Sequence, residues 1–390
     1  MDLSFSPAEE AFRLRIRRWL EENPPEVPDT DSLDEEVRHL KRWQRRLHEG
    51  GWIGLHWPKQ YGGGGATLVE NFIFAEEMAR AKSPELIGRI GLNLVGPTLI
   101  AHGDEEHKRR HLAKILAAEE LWCQLFSEPN AGSDLAALAT RAVADGDDFV
   151  VSGQKVWTSY AQYAGFGILL ARTDFGKATP KQKGISFFVV DMSSPGISIR
   201  PLRQMTGSAE FNEVFFEDVR VPRANLVGPL NGGWRIANTT LSHERGTNPR
   251  QMVIHRQLLE ELLALARSDS PEHARSVGPT LRQQLAQAFI DVEIMRLGNY
   301  RTLTRIVRGE QPGAEGSLNK LFWSEMSQRM HDVAFELLGA RSQLVKGSRH
   351  AVAGGRWQRS LLYYRAGTIF AGTSEIQRNI IAQRVLGLPR

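Results

Sequence analysis

Four short stretches of this 390-residue chain combine residue types and spacings suited to chemistry. "GGWRIANTTLSHERG" (232–246) reads as a helix that places Glu244 on the face of Ala237, Thr240 and Leu241. A carboxylate on a largely apolar face is desolvated. That raises its pKa above the ordinary glutamate value of about 4.3 and suits it to proton abstraction. An ion pair with neighbouring Arg245 is the alternative reading of the same residue. Further on, "YRAGTIFAGTSEIQRNII" (364–381) interrupts an apolar segment with Gly372-Thr373-Ser374-Glu375. Ser374-Glu375-Ile376-Gln377 has the capping-box pattern, which predicts a helix starting with Ser374 as its cap. Gly372 would let a ligand's polar or phosphate atoms approach the free amides of the first turn; a plain helix start is the other reading.

Two further stretches are weaker taken singly. "LFSEPNAGSD" (125–134) closes an apolar run with a tight turn, either an ordinary one or one whose successive N–H groups cradle anionic or carbonyl oxygens. "KVWTSYA" (155–161) sets Trp157 beside two hydroxyls at a strand end, as a core residue or as an aromatic plate for a flat cofactor.

Several classes drop out. Gly165-Phe166-Gly167 runs into a strand with no third glycine, so it is not a dinucleotide fingerprint. The chain has no phosphate-loop lysine motif, no G-x-S-x-G elbow and no H-E-x-x-H zinc pattern. A single cysteine, Cys123, gives neither an internal disulfide nor metal-ligand spacing, and fits a reducing cytosol. The net charge of +4 is spread along the chain, unlike a nucleic-acid-binding stripe. The basic clusters at 41–46 and 107–111 are expected to be solvated helix faces. No apolar run approaches the roughly 20 residues of a membrane span, and no charged leader precedes an apolar segment. A soluble, cytoplasmic protein is expected.

The positioning elements follow a three-part order. The first third is helical: Ser6-Pro7-Ala8-Glu9 forms a capping box, and Phe12, Ile16, Trp19 and Leu20 recur at helical spacing up to Pro24-Pro25. A second helix carries Val37, Leu40, Gln44 and Leu47 and ends at Gly50-Gly51. Beyond residue 120, five short β-branched and aromatic runs without intervening helices predict an antiparallel barrel or sandwich. Long helices return after Gly232, one of them capped at Ser317, striped with Leu318, Phe322, Met326, Met330, Val333 and Leu337, and stopped at Gly339. The class is α+β, with an N-terminal helical domain (1–119), a middle β domain (120–229) and a C-terminal domain of the four-helix-bundle type (230–390).

Together and in order, "LFSEPNAGSD", "GQKVWTSYA", "FFEDVRVPRANLVG" and "AGTSEIQRNIIAQRVLG" resemble the acyl-CoA dehydrogenase family of flavoproteins over essentially the whole chain. The resemblance implies FAD, an acyl-CoA substrate and α,β-dehydrogenation of the fatty acid β-oxidation type. It implies that Gln124, Phe126, Ser127, Gly132, Ser133, Trp157, Thr158 and Ser159 hold the flavin, and that Thr373 and Glu375 contact FAD. Ser133, Ser242, Arg245, Ala371 and Gly372 would face the acyl-CoA, with the Ala371 N–H on the thioester carbonyl. Electrons would pass to an electron-transfer flavoprotein, and the assembly would be a homotetramer or dimer.

Two departures from the pattern matter. Many members carry the catalytic glutamate immediately before G-T-S, where this chain has Ala371. A minority place it just before an arginine on the helix that opens the C-terminal domain, which Glu244-Arg245 matches. Such members tend to accept long, branched or bulky acyl chains, and a steroid or other polycyclic acyl chain is an option for this one. The Arg-x-x-Phe-Gly segment that reaches a neighbouring subunit's FAD is missing from 270–289, leaving Arg282 as a substitute. "ELLGARS" (336–342), with Glu336, Gly339 and Ala340, only partly matches the stretch that packs on the adenosine half. An altered clamp admits a heteromeric assembly. A different flavin reaction on the same fold, or a non-catalytic subunit of a heteromeric dehydrogenase, are the alternative readings.

Overall fold

The capping box at Ser6 forms: its hydroxyl accepts from the Glu9 N–H, and the Glu9 carboxylate accepts from the Ser6 N–H, starting helix α1 (Pro7–Glu22). Helices α2 (Leu33–Glu49), α3 (Leu68–Arg80), α4 (Gly96–His102) and α5 (Glu105–Leu116) follow, each but α4 with a side-chain N-cap. This computed structural model describes residues 4–176, 178–242, 247–267, 277–310 and 313–389. The basic clusters lie on solvated helix faces as expected: Arg42, Arg45, Arg46, Arg109 and Arg110 are exposed, and Lys108 and Arg109 pair with Glu105 and Glu106 one turn earlier. Trp43, Gln44, His107 and His111, within the same stretches, face inward and are buried.

Seven strands come next: β1 (Trp122–Leu125), β2 (Arg141–Asp145), β3 (Asp148–Ser159), β4 (Phe166–Arg172), β5 (Ile185–Asp191), β6 (Ile197–Leu202) and β7 (Phe211–Pro222). They form one sheet in the order β1-β4-β2-β3-β7-β6, with β5 also on β4. The five β-branched and aromatic runs are β3 to β7. β1 and β2 carry no such signature, and β1 joins β4 in parallel rather than antiparallel. Helix α6 (Gly233–Ser242) follows, then α7 (Pro249–Ala266), α8 (Pro279–Val307), α9 (Glu315–Leu338), α10 (Arg356–Arg365) and α11 (Ser374–Ile380). α9 starts ahead of the expected cap: Ala314 holds the N-cap position, and Ser317 lies buried in the first turn. Its predicted stop at Gly339 is observed.

By contact the chain divides into two units. One comprises Met1–Pro25, Thr67–Ser83 and Arg245–Arg390, so α1 and α3 fold with the C-terminal helices. Its core gathers Phe72, Leu262, Val292, Met326, Met330 and Leu337. Arg13 and Arg17 of α1 reach the buried Glu76 and Glu77 of α3. The other unit comprises Glu26–Ala66 and Pro84–Glu244 and holds the sheet, with Phe149, Val151, Leu169, Phe188, Val190 and Val214 at its centre. Within that unit Thr98 of α4 and Thr240 of α6 hydrogen-bond at 2.8 Å, both buried. Among the described residues no helix is long and apolar enough to cross a membrane.

Candidate active site

Two sets of residues stand out, one in each unit, and each is built from its own neighbours. In the sheet unit the turn after β1 is closed by paired backbone bonds between Glu128 and Ala131 (3.0 and 3.1 Å). Its carboxylate is turned inward, where it accepts from the N–H groups of Ala139 (2.6 Å) and Thr140 (2.9 Å) and from Lys155 Nζ (2.8 Å). Lys155 also donates to the Phe126 carbonyl at 3.0 Å, and the Val156 N–H to the Ser127 carbonyl at 2.9 Å. Burial alone would raise the Glu128 carboxyl, but the Lys155 ammonium and these N–H donors hold it below its ordinary range. The buried pair thus bolts the turn to β3, leaving Gly132 and Ser133 exposed and Gln124 and Ser127 half-buried.

The register of β3 against β7 slips between Lys155 and Thr158. That bulge puts Trp157 in left-handed backbone, at φ 59°, and turns its ring outward, 61% exposed, edge-on to Phe211. Trp157 is therefore no core residue. Next to it Thr158 is fully buried, and its hydroxyl has no hydrogen-bond partner among the described residues. Leaving a buried hydroxyl unpaired costs about 1–3 kcal/mol, a cost that a ligand atom would relieve. Ser159 ends the strand half-buried. An outward-facing ring beside a buried donor in want of a partner fits a flat, polar-edged group such as a flavin.

In the helical unit the polar break is a shaped loop. Ala371 and Gly372 both have positive φ, 52° and 88°. A Cβ at Gly372 would lie 2.6 Å from Gln377 Nε2, so the position admits only glycine without rearrangement. The helix cap is one residue earlier than the capping-box pattern suggested: the Thr373 hydroxyl accepts from the Ile376 N–H at 3.3 Å, and Ser374 is the first helical residue. Thr373, Ser374 and Glu375 line a cleft of about 500 Å³ together with Gln328, Arg329 and Arg378. Ser374 Oγ is buried there without a partner among the described residues. The Glu375 carboxyl is held low by its own N–H and by the Thr373 hydroxyl.

The other expected site residues of this unit do not line the cleft or lie outside the described residues. Arg282 is exposed on the first turn of α8. Glu336, Gly339 and Ala340 are at the end of α9, and none of the four lines the cleft. Glu244 and Arg245 lie outside the described residues, as does the side chain of Ser242. Three residues that shape the site escaped the sequence reading. Lys155 shares the inward face of Phe149, Val151 and Gly153, so its period-2 position was a usable signal. Lys320 belongs to a second buried row of α9 with Trp323, Ser327 and His331, hidden beside the more obvious apolar stripe. Gln377 was seen only as part of a capping pattern. Among the described residues no three His, Cys, Asp or Glu side chains gather as metal ligands.

Comparison with known proteins covers nearly the whole chain. Residues 6–119, 123–219 and 231–386 match the N-terminal, middle and C-terminal domain profiles of the acyl-CoA dehydrogenases. A relative from Mycobacterium tuberculosis H37Rv, "Acyl-CoA dehydrogenase IpdE1", is 39% identical over 389 residues, covering 98% of each chain. The solved structure of the ChsE4-ChsE5 complex from Mycobacterium tuberculosis superposes with a TM-score of 0.85 at 33% identity over 100% of both chains. A structure described as the Tcur3481-Tcur3483 steroid ACAD gives 0.85 at 31%, again over 100% of both chains.

Proposed function

Because the chain belongs to the acyl-CoA dehydrogenase family and is an FAD-dependent oxidoreductase, we propose that it performs α,β-dehydrogenation of a bulky acyl-CoA thioester, with Glu244 as the base. FAD, when bound, supplies the acceptor for the β-hydride. The chain's own residues divide the remaining work. Trp157 offers a ring face to the flavin, and the Thr158 hydroxyl a donor at its polar edge. The turn from Gln124 to Ser133 contributes N–H groups, with Phe126 and Ser127 held by Lys155 and Val156. The Ala371 N–H meets the thioester carbonyl and stabilises the enolate-like charge that develops as the α-proton leaves. Ala371 itself cannot take that proton, so the role falls to Glu244, ahead of Arg245.

The observation that carries this reading is Trp157 raised on its bulge beside the unpaired Thr158 hydroxyl. The similarity to a "steroid ACAD", together with the methyl group at 371 in place of a larger acid, favours a polycyclic or branched acyl chain. The electrons go on to an electron-transfer flavoprotein. Both neighbouring structures are two-component proteins by name, which supports assembly with a second, related chain that completes the adenosine side of the site. The test is product analysis: a steroid-side-chain acyl-CoA incubated with the protein and an artificial acceptor should lose two hydrogens by mass. An unchanged mass for every steroid, branched and straight-chain acyl-CoA would end the proposal.

A further inference from the structure

We propose that Lys320 is a positioning residue that fixes the peptide carrying the Ala371 N–H; the role of that N–H at the thioester rests on the dehydrogenase reading above. Lys320 lies on the second turn of α9, 9% exposed. Among the described residues its ammonium forms no ion pair within 4.0 Å, but it donates to the Gly372 carbonyl at 2.7 Å. It also sits 6.0 Å from the centre of the Phe370 ring. One cation therefore bonds the residue after Ala371 and lies near the ring of the residue before it. Gln377 Nε2 adds a second grip, on the Ala371 carbonyl at 2.9 Å and the Gly372 carbonyl at 3.3 Å. On the other side the Phe370 N–H is tied to the Ala366 carbonyl at 3.0 Å.

All of the Lys320 and Gln377 bonds end on carbonyl oxygens and leave the Ala371 N–H out. The peptide that bears this N–H lies between two anchored segments, so its direction is set although the donor has no partner among the described residues. The clamp has something to resist: Ala371 is held at φ 52°, a conformation an alanine leaves readily. Rotation back to negative φ would swing the N–H away from any fixed acceptor. A buried lysine is also an expensive way to bond a carbonyl, since burial disfavours its charge. Burial pulls the ammonium down to about 8, while Glu325 and Glu375 pull the other way. A merely structural contact needs no such charge; a charge-assisted bond to one loop carbonyl supplies stiffness where aim matters.

The test uses the FAD-loaded full-length protein with Lys320→Met, which keeps the chain length and loses the donor, and Lys320→Arg, which restores a cationic donor. Two readouts are needed. Hydrogen exchange over residues 366–380 reports the clamp without any substrate. Anaerobic flavin reduction by saturating acyl-CoA reports its consequence. For Lys320→Met we expect about tenfold or faster exchange in this segment, flavin reduction slowed roughly 10- to 100-fold and a KM within about threefold of the parent, given that losing one oxyanion donor outright costs about 10²–10³. Lys320→Arg should recover most of both. Unchanged exchange together with reduction within twofold of the parent overturns the proposal. So does slowed reduction with unchanged exchange, because the effect would then not run through the loop. If no acyl-CoA reduces the parent's flavin, it is the dehydrogenase reading that fails, and exchange alone decides the clamp. Should Lys320→Met not fold, Lys320→Gln takes its place under the same criteria.

Discussion

Ala371 ends in a methyl group and its neighbour Gly372, at φ 88°, has no side chain, so the head of this loop offers backbone amides but no acid–base group. In the proposed reaction the proton would have to be taken from elsewhere, and Glu244 is the carboxylate we propose for it. Glu244→Gln should keep its FAD and lose turnover by about 10²–10⁴ or more, on the order of 3–5 kcal/mol of transition-state stabilisation. Near-normal dehydrogenation by that variant would remove Glu244 from the role. Thr158 invites a two-sided comparison. Its hydroxyl is buried and unpaired among the described residues, so Thr158→Val should leave the FAD-free protein as stable as the parent or up to about 1–2 kcal/mol more so. The same change should slow flavin reduction about tenfold. Thermal melts of the stripped and loaded protein, alongside stopped-flow reduction, would separate the two effects. A loss of stability in the stripped form would mean that the hydroxyl serves the fold instead.

Among elements, α9 carries the heaviest duties of the helical unit: core stripe, Lys320 clamp and a buried polar chain. His255 Nε2 meets Ser327 Oγ at 2.5 Å, and its Nδ1 lies 2.7 Å from the Gln251 carbonyl. His331 Nε2 meets Ser360 Oγ at 2.7 Å. Burial drives the His255 imidazole down to about 4, with His331 adding repulsion, and burial depresses His331 as well. The unfolded chain thus binds a proton near 6.5 that the folded bundle refuses. Stability should be intact above pH 6.5 and fall as pH drops toward 4, by about 2 kcal/mol at pH 5 from His255. Urea melts at pH 7 and pH 5 should show that loss, and His255→Gln should shrink it; an equal loss in the variant would place the cause elsewhere. The elements most legible in the sequence were those with local chemistry. Ser6 announced its capping box, the glycine at 339 its helix end, and β3 to β7 their branched and aromatic residues. β1 and β2 were missed because four or five residues, such as "RAVAD", cannot state a period. The caps at 314 and 373 were each misplaced because Ser is only one of several residues that can take the position. At the site, the stretch around Trp157 was legible, but its outward turn was not, since a bulge depends on the register of a distant strand.

At the scale of the whole molecule, α1 and α3 join the C-terminal helices rather than their neighbours in sequence. The outer side of α8 is left with Phe289, Ile290, Ile294 and Leu297 exposed, a run of large apolar groups on one helix. Such a surface suits another subunit. Light scattering should find a dimer or larger assembly, alone or with a co-expressed partner, and Ile294→Asp should reduce its mass; a monomeric parent in both settings would contradict the account. Everything converges on one reaction, and anaerobic titration of the purified protein with acyl-CoA thioesters tests it most directly. The account predicts a yellow protein whose flavin colour bleaches, fastest with bulky polycyclic or branched chains, and hardly at all after Glu244→Gln. Flavin that stays oxidised under every thioester, with the partner chain present, would contradict it.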